Sequence, residues 1–270
     1  ELPDLGITRT GVDPTRPETW DAARTPATRA FYVESIGNPL MGVPDLAAVV
    51  AFCREHDLVA IIDNTFASPI NFRPVPFGFD LVVHSCTKYM NGHSDIVAGS
   101  VAGGIDRIEA VQRKLEHLGG SLDPHACFLL HRGLKTLPLR MARHNANALA
   151  VARFLEGHDR VTRVYHPGLP GSPDGARAVG VLDGFGGMLS FEIEGGVEAA
   201  ERMLGRLTIP VVASSLGGVE SLITRPATTS HASLSPEERT RLGITDGLVR
   251  MSVGIEDADD LIADLANALA

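Results

Sequence analysis

Residues 80–89 read Asp-Leu-Val-Val-His-Ser-Cys-Thr-Lys-Tyr, a short apolar run followed at once by two hydroxyl groups and an amine. An earlier apolar run, residues 59–62, ends in Asp63. Near-continuous apolar runs of this length are typical of strands buried on both faces of a parallel sheet. The pattern predicts that Lys88 and Asp63 follow two neighbouring buried strands and meet at one edge of the sheet.

The segments around this stretch predict a mostly parallel α/β sheet. Apolar and β-branched runs that indicate strands alternate with a helical pattern whose first turn contains Pro44. Such alternation is typical of sheets in which helices connect parallel strands. The predicted elements are strands at 30–34, 58–63, 80–84 and 96–102, and a helix at 44–56.

The pattern changes in the second half of the chain. One long helix is predicted from Pro124 to Glu156, followed by runs that alternate apolar and polar residues, as in strands open on one face. The sequence therefore predicts a large domain at 1–143 and a smaller C-terminal α/β domain at 144–270. The segments concerned are strands at 161–165, 187–193 and 248–253, and helices at 197–207 and 257–269.

Composition narrows the classes of function. The chain has 270 residues and a net charge of −9, with no basic run, so nucleic-acid binding is not expected. No apolar stretch is long enough to span a membrane, and the first residues lack the features of a signal peptide. The chain has three cysteines, an odd number, and they are not spaced as metal ligands: Cys53, Cys86 and Cys127. These features favour a cytoplasmic protein.

The polar residues after the strands suggest a specific chemistry. A lysine that can bind an aldehyde and a carboxylate that can pair with a pyridine nitrogen are what pyridoxal phosphate (PLP) requires. Lys88 and Asp63 supply this pair, and the hydroxyls of Ser85 and Thr87 can bind the phosphate. The guanidinium of Arg250 suits a substrate carboxylate.

The segment Ser85-Cys-Thr-Lys-Tyr-Met-Asn-Gly-His-Ser-Asp95 resembles the PLP-lysine signature of the Cys/Met-metabolism, or transsulfuration, enzymes. That family includes cystathionine γ-synthase, cystathionine γ- and β-lyases, methionine γ-lyase and O-acylhomoserine sulfhydrylases. The resemblance extends over 29–270, because further blocks are similar in the same order. They are Glu34-Ser-Ile-Gly-Asn-Pro39, Ile62-Asp-Asn-Thr-Phe-Ala-Ser-Pro69, Gly119-Gly-Ser-Leu-Asp-Pro124, Arg132-Gly-Leu-Lys-Thr-Leu137, Ser215-Leu-Gly-Gly-Val-Glu-Ser-Leu222 and Arg250-Met-Ser-Val-Gly-Ile-Glu256.

This resemblance implies an α/β PLP-dependent transferase fold of type I, similar to aspartate aminotransferase, and a homotetramer built as a dimer of dimers. It implies that Lys88 is the catalytic Schiff-base lysine and that Asp63 contacts the ring nitrogen. Ser85 and Thr87 become phosphate ligands, and Asn38 lies beside the phenolic oxygen of PLP. The implied reaction is γ-elimination or γ-replacement at a carbon–sulfur bond of a sulfur amino acid, or on an acylhomoserine.

The resemblance also assigns the substrate-binding residues. Ser215 and Arg250 are implied to hold the substrate carboxylate, and Glu34 to support the turn near the ring. Ser214 matches neither the Glu that is frequent in cystathionine-processing relatives nor the apolar residue of methionine γ-lyases. Methionine γ-lyase and O-acylhomoserine sulfhydrylase activities therefore stay open, as does β- or γ-selectivity. Relatives carry a further N-terminal third with phosphate- and ring-binding residues, so we expect this chain to be part of a longer protein.

Three alternatives come from other classes of protein. A catalytically silent chain could assemble with a partner chain. A metal hydrolase could use His84, His93 and Asp95, although no third fixed ligand is evident beside the His93–Asp95 pair. A dinucleotide-dependent oxidoreductase could share the α/β layout, but no Gly-x-Gly-x-x-Gly follows the first strand. We predict no metal site.

Overall fold

The structure, a computed structural model, describes residues 2–270 and contains two β-sheets. The first sheet has the strand order β1-β2-β3-β4, and the second has the order β5-β6-β9-β8-β7. The strands are β1 Ala30–Glu34, β2 Val59–Asp63, β3 Leu81–Ser85, β4 Gly99–Gly103, β5 Val161–Tyr165, β6 Met188–Ile193, β7 Val211–Val212, β8 Leu222–Thr224 and β9 Val249–Ser252.

Helices pack on both sheets and connect their strands. They are α1 Trp20–Ala23, α2 Leu46–Glu55, α3 Ser68–Asn71, α4 Pro74–Phe77, α5 Ile105–Leu118, α6 Pro124–Leu134, α7 Leu137–Glu156, α8 Gly175–Ala178, α9 Gly196–Leu204, α10 Pro236–Arg241 and α11 Ala258–Leu269. Short 3₁₀ turns occupy Pro3–Leu5, Pro17–Thr19 and Pro226–Thr228. Within residues 2–270, no helix combines the length and the apolar character needed to cross a membrane.

The first three strands of the first sheet are parallel, as the sequence predicts. Their register places Glu34 of β1 beside Asp63 of β2, so the polar strand ends meet at one edge of the sheet. Helix α2 connects β1 to β2, and it begins where the Asp45 carboxylate accepts a hydrogen bond from the backbone N–H of Ala48. The predicted strand–helix–strand order of this region is confirmed.

Two expectations about this sheet need correction. Strands β2 and β3 are not buried on both faces: Ile62 and Val82 are buried, whereas the alternate face, which ends in Asp63 and Ser85, is partly open. Strand β4 pairs antiparallel with β3, because the chain returns from β3 to β4 without a crossover helix. The other face also carries apolar residues, among them Ile61 and Val83, which are only partly buried, and it ends at the cavity.

The predicted helix from Pro124 to Glu156 is two helices. Helix α6 ends at Leu134 and α7 begins at Leu137, with Pro138 in its first turn. A proline in a helix interior would lack the N–H that the helix needs and would clash with the preceding turn, so it starts a new helix here. Helix α5 and the short strands β7 and β8 were not predicted.

The second sheet is more deeply buried than predicted. All four residues of β9 and five of the six in β6 are buried, so the expectation that these strands are open on one face is wrong. Both strands lie inside the sheet, where β6 and β9 pair with each other and with outer neighbours. Helices α7, α9 and α11 contribute apolar residues to the core on this sheet.

Two apolar cores correspond to the two sheets. Trp20, in the first, packs edge-on against Phe31 and Phe52. Helix α7 contributes Met141 to the first core and Val151 to the second. The predicted division of the chain into 1–143 and 144–270 thus falls inside a continuous helix that serves both cores, and it stays a prediction.

Candidate active site

An open cavity of about 260 Å³ lies at the ends of β1, β2 and β3, next to residues that belong to the second sheet and its loops. All but one of the residues nominated from the sequence line it, namely Asn38, Asp63, Ser85, Lys88, Ser215 and Arg250. The rest of the wall consists of Glu34, Ile36, Thr65, Phe66, Ser214, Leu216 and Ser230. The fold therefore gathers groups that are far apart in the sequence.

Lys88 follows β3 in a tight turn. Its backbone N–H donates to the Ser85 carbonyl at 3.1 Å, and its own carbonyl accepts from the Gly92 N–H at 2.8 Å. The side-chain amine crosses the cavity and donates to Ser215 Oγ at 2.8 Å. Burial, and then the charge of Arg250, lower the pKa of the Lys88 amine. A lowered pKa increases the fraction of neutral amine, the form that attacks an aldehyde or accepts a proton.

Asp63 ends β2, and both of its carboxylate oxygens accept hydrogen bonds. The backbone N–H of Thr65 donates to Oδ1 at 3.0 Å, and the phenol of Tyr32 donates to Oδ2 at 3.0 Å. Burial and the nearby Asp63 carboxylate raise the pKa of Tyr32. The phenol therefore stays protonated and remains a donor to the carboxylate.

Arg250 lies on β9 and binds the opposite wall of the cavity. Its Nη1 donates to Asn38 Oδ1 at 3.0 Å, and its Nη2 donates to the backbone carbonyl of Ser215 at 3.1 Å. Its Nε is buried and has no hydrogen-bond partner among residues 2–270. Burial lowers the pKa of this guanidinium. The guanidinium brings a buried positive charge to the cavity wall, and this charge suits a carboxylate.

The turn that carries Asn38 is supported by Glu34. The Glu34 carboxylate accepts a hydrogen bond from the backbone N–H of Asn38 at 3.2 Å, in line with the supporting role expected for it. Burial raises the pKa of the Glu34 carboxyl, and the neighbouring charge of Asp63 adds to this shift. The turn thereby presents the Asn38 amide oxygen to Arg250.

Thr87, a phosphate ligand in the sequence prediction, does not line the cavity. Its hydroxyl accepts from the Ala98 N–H at 2.9 Å and lies 3.3 Å from the Ala98 carbonyl, so it joins the Lys88 loop to the segment before β4. Ser85 does line the cavity. A phosphate role for Thr87 stays a prediction.

Sequence reasoning missed three residues near the cavity. Tyr32 binds Asp63, Thr65 donates its backbone N–H to Asp63, and Ser230 lies in the wall with its hydroxyl 2.9 Å from His231 Nδ1. The position of Tyr32 near the cavity could have been predicted from the sequence, because Tyr32 lies two residues before Glu34 on the same face of a strand. Thr65 and Ser230 lie in loops whose course the strand pattern does not define.

The proposed metal ligands do not converge. His93 Nδ1 contacts the Asn91 carbonyl, and Asp95 accepts from the Asn91 side chain, while His84 is buried on β3. Within the part of the chain that the structure describes, no group of three His, Cys, Asp or Glu side chains could hold a metal ion. The metal-hydrolase alternative has no support in this geometry.

Comparison with known proteins identifies the family. The family model described as "Cys/Met metabolism PLP-dependent enzyme" matches residues 1–270. The chain belongs to this family. The L-methionine gamma-lyase of Pseudomonas putida is 45% identical over 98% of the chain, and cystathionine gamma-synthase 1 of Arabidopsis thaliana is 43% identical over 99%. The transsulfuration resemblance of the sequence is thus confirmed, together with PLP as the family's cofactor.

The fold of the Cys/Met metabolism family is confirmed in three dimensions. The crystal structure of cystathionine gamma-lyase from Lactobacillus plantarum, complexed with L-serine, has a TM-score of 0.96 and 41% identity to this chain. The match covers 99% of the chain and 70% of that structure. The chain spans 67% of the Pseudomonas putida protein and 48% of the Arabidopsis thaliana protein.

The donor set of the cavity fits the cofactor of the Cys/Met metabolism family. Lys88 offers an amine with a lowered pKa for the aldehyde, and Asp63 offers a carboxylate held at both oxygens for the ring nitrogen. Ser85 and the positively charged Arg250 line the same cavity. The chemistry of these groups matches what PLP and an amino-acid carboxylate require.

Proposed function

We propose that this protein catalyses PLP-dependent elimination or replacement at a carbon–sulfur bond of a sulfur amino acid, or replacement on an acylhomoserine. One observation carries the proposal: Lys88, Asp63 and Arg250 line one cavity. Arg250 lies far from the other two in the sequence and belongs to the other sheet. The names of the relatives, which include gamma-lyases, gamma-synthases and beta-lyases, support this class of reaction.

When bound, PLP supplies a conjugated ring that takes up negative charge from the carbons of the substrate. Lys88 Nζ removes the proton from the substrate α-carbon, and it relays protons to carbons further along the chain. A neutral amine is required for the first transfer, and the lowered pKa of Lys88 favours that form. The Asp63 carboxylate would pair with the pyridine nitrogen of PLP.

Arg250 and Ser215 are proposed to orient the amino-acid substrate. The guanidinium is held at Nη1 and Nη2, and its charge would attract the substrate carboxylate. Asn38, which accepts a hydrogen bond from Arg250, would lie beside the phenolic oxygen of PLP. The hydroxyls of Ser85 and Thr87 are proposed as phosphate ligands, and for Thr87 this requires release of its bond to Ala98.

Ser214 lines the cavity next to Ser215 and is the position that differs between the subclasses of the family resemblance. A hydroxyl there neither repels an apolar thioether nor provides a charge for a second amino-acid group. We propose a cytoplasmic homotetramer built as a dimer of dimers, whose substrate is L-cystathionine, L-methionine or an O-acylhomoserine.

The first experiment is a titration of the purified protein with PLP, read as the visible absorbance of a protonated imine. Lys88→Ala removes the proposed attachment site, and Lys114→Ala removes an exposed lysine of α5 as a matched control. We expect the band in the native protein and in Lys114→Ala and its loss in Lys88→Ala. A band that persists without Lys88 would contradict the proposed attachment.

Activity is then measured with L-cystathionine, L-methionine and an O-acylhomoserine plus a thiol. Release of a keto acid and ammonia indicates elimination, and formation of a thioether indicates replacement. A Lys88-dependent imine without turnover of any of these substrates would favour the catalytically silent alternative. Sedimentation of the same samples tests the homotetramer.

A further inference from the structure

Tyr32 and Asp63 form a hydrogen-bonded pair that neither the family signature nor the strand ends predicted. The phenol donates to Oδ2 at 3.0 Å, and the Thr65 backbone N–H donates to Oδ1 at 3.0 Å. Each carboxylate oxygen thus has one donor, and the two donors belong to different elements. A carboxylate held from two sides has little freedom to rotate about its Cβ–Cγ bond.

The register of the first sheet explains why Tyr32 reaches Asp63. In the parallel pair β1–β2, Glu34 lies beside Asp63 and Tyr32 lies beside Ile61. Tyr32 and Glu34 share a face of β1, because side chains two apart on a strand point the same way. The long phenol spans the diagonal from Ile61 to the carboxylate, a distance that a shorter side chain at this position would not cover.

Tyr32 is 57% exposed, so it contributes little to the apolar core. Its hydroxyl is a donor throughout the physiological range, because partial burial of the phenol and the Asp63 charge raise its pKa. Removal of the hydroxyl alone is therefore expected to change the carboxylate without changing the fold.

We propose that Tyr32 is a positioning residue for Asp63, whose carboxylate it holds in the orientation that pairs with the pyridine nitrogen of PLP. This inference rests on the proposed function, because it assigns Asp63 to the cofactor ring. It adds Tyr32 to the proposed site as a residue that acts through Asp63 and does not itself contact the reacting atoms.

The second sheet offers a matched control. There the phenol of Tyr165 donates to Glu192 Oε1 at 2.7 Å, and burial raises its pKa to about 12. Tyr165 is also a tyrosine that donates to a carboxylate from a β-strand, but neither residue of this pair lines the cavity. Tyr165→Phe therefore removes an equivalent hydrogen bond at a site where PLP affinity should not respond.

The test compares Tyr32→Phe and Tyr165→Phe by PLP titration, with the Lys88-dependent imine band as the signal and thermal unfolding as a check of the fold. We expect Tyr32→Phe to raise the Kd for PLP by about three- to tenfold, since one hydrogen bond to a charged group is lost at a partly exposed position. Tyr165→Phe should leave the Kd unchanged. Equal Kd values for all three proteins would overturn the inference and leave the proposed function standing.

A double-mutant cycle tests whether Tyr32 acts through Asp63. In an Asp63→Ala background, the further change Tyr32→Phe should have little effect on PLP affinity, because the acceptor of the Tyr32 hydroxyl is already gone. Additive losses would overturn the positioning role. If the native protein forms no Lys88-dependent imine, the proposed function fails first, and the inference falls with it.

Discussion

The side-chain amine of Lys88 donates a hydrogen bond of 2.8 Å to the hydroxyl of Ser215, a residue 127 positions further along the chain. Lys88 lies between β3 and β4 of the first sheet, whereas Ser215 lies between β7 and β8 of the second. Ser215 has a φ of 89°, a backbone conformation that costs free energy for any residue except glycine. The amine is therefore held at the junction of the two sheets by a hydroxyl on a strained backbone.

The strain and the hydroxyl of Ser215 can be separated by two substitutions. Ser215→Gly removes both, whereas Ser215→Ala removes the hydroxyl and keeps a Cβ at positive φ. We expect the glycine variant to be more stable than the alanine variant by about 1 kcal/mol in urea unfolding, and both to change the rate of imine formation at Lys88 equally. An alanine variant as stable as the glycine variant would contradict the strain.

The pH dependence of Lys88 should respond to the charge of Arg250. Burial and then Arg250 lower the pKa of the amine, so loss of the guanidinium charge should raise this pKa. We expect the pH midpoint for imine formation to lie below the ordinary lysine value in the native protein. The midpoint should move to higher pH in Arg250→Gln and stay nearly unchanged in Arg250→Lys, which keeps the charge. Identical midpoints in the two variants would show that Arg250 does not act through its charge.

Acid should destabilise the protein through His144. This ring is fully buried, its Nδ1 donates to the Val253 carbonyl at 2.7 Å, and burial lowers its pKa to about 4. An unfolded histidine titrates near pH 6.5, so the unfolded chain binds the extra proton between about pH 6.5 and pH 4. The stability from the buried neutral ring is full above this window and is lost as the pH falls through it.

The expected size of this effect is roughly 2 kcal/mol between pH 7 and pH 5. His144→Gln should make the free energy of unfolding less dependent on pH by this amount. His117→Gln makes the same substitution at an exposed position of α5 and serves as the control. His166, whose pKa burial also lowers to about 4, should retain its own contribution in both variants.

Arg140 should be one of the most sensitive positions for stability. Its buried guanidinium donates to the carbonyls of Tyr89 at 2.7 Å and Gly133 at 2.9 Å, and burial lowers its pKa. Arg140→Met would leave buried carbonyls without donors next to the Lys88 turn. We expect a loss of about 3 kcal/mol or more in the free energy of unfolding, against less than about 0.5 kcal/mol for the exposed Arg143→Met. Similar losses in the two variants would refute the assignment.

Local sequence signals predicted the first half of the fold well. Apolar runs that end in polar residues located β1, β2 and β3, and Pro44 indicated the start of α2 to within two residues. The same signals failed where long-range packing decides the outcome. They missed the break between α6 and α7, and they assigned β6 and β9 to a surface position because the alternation of polar and apolar residues looked open on one face.

The sequence by itself determined which chemical groups are available: an amine at Lys88 and a carboxylate at Asp63, each following an apolar strand, and a family signature around them. Periodicity and strand ends are local properties, so they can be read along one chain. Only the tertiary structure decided that Ser215 and Arg250 face these groups, that Thr87 turns to Ala98, and that Tyr32 holds Asp63. These contacts depend on how two sheets pack and on strand register, and no local pattern encodes them.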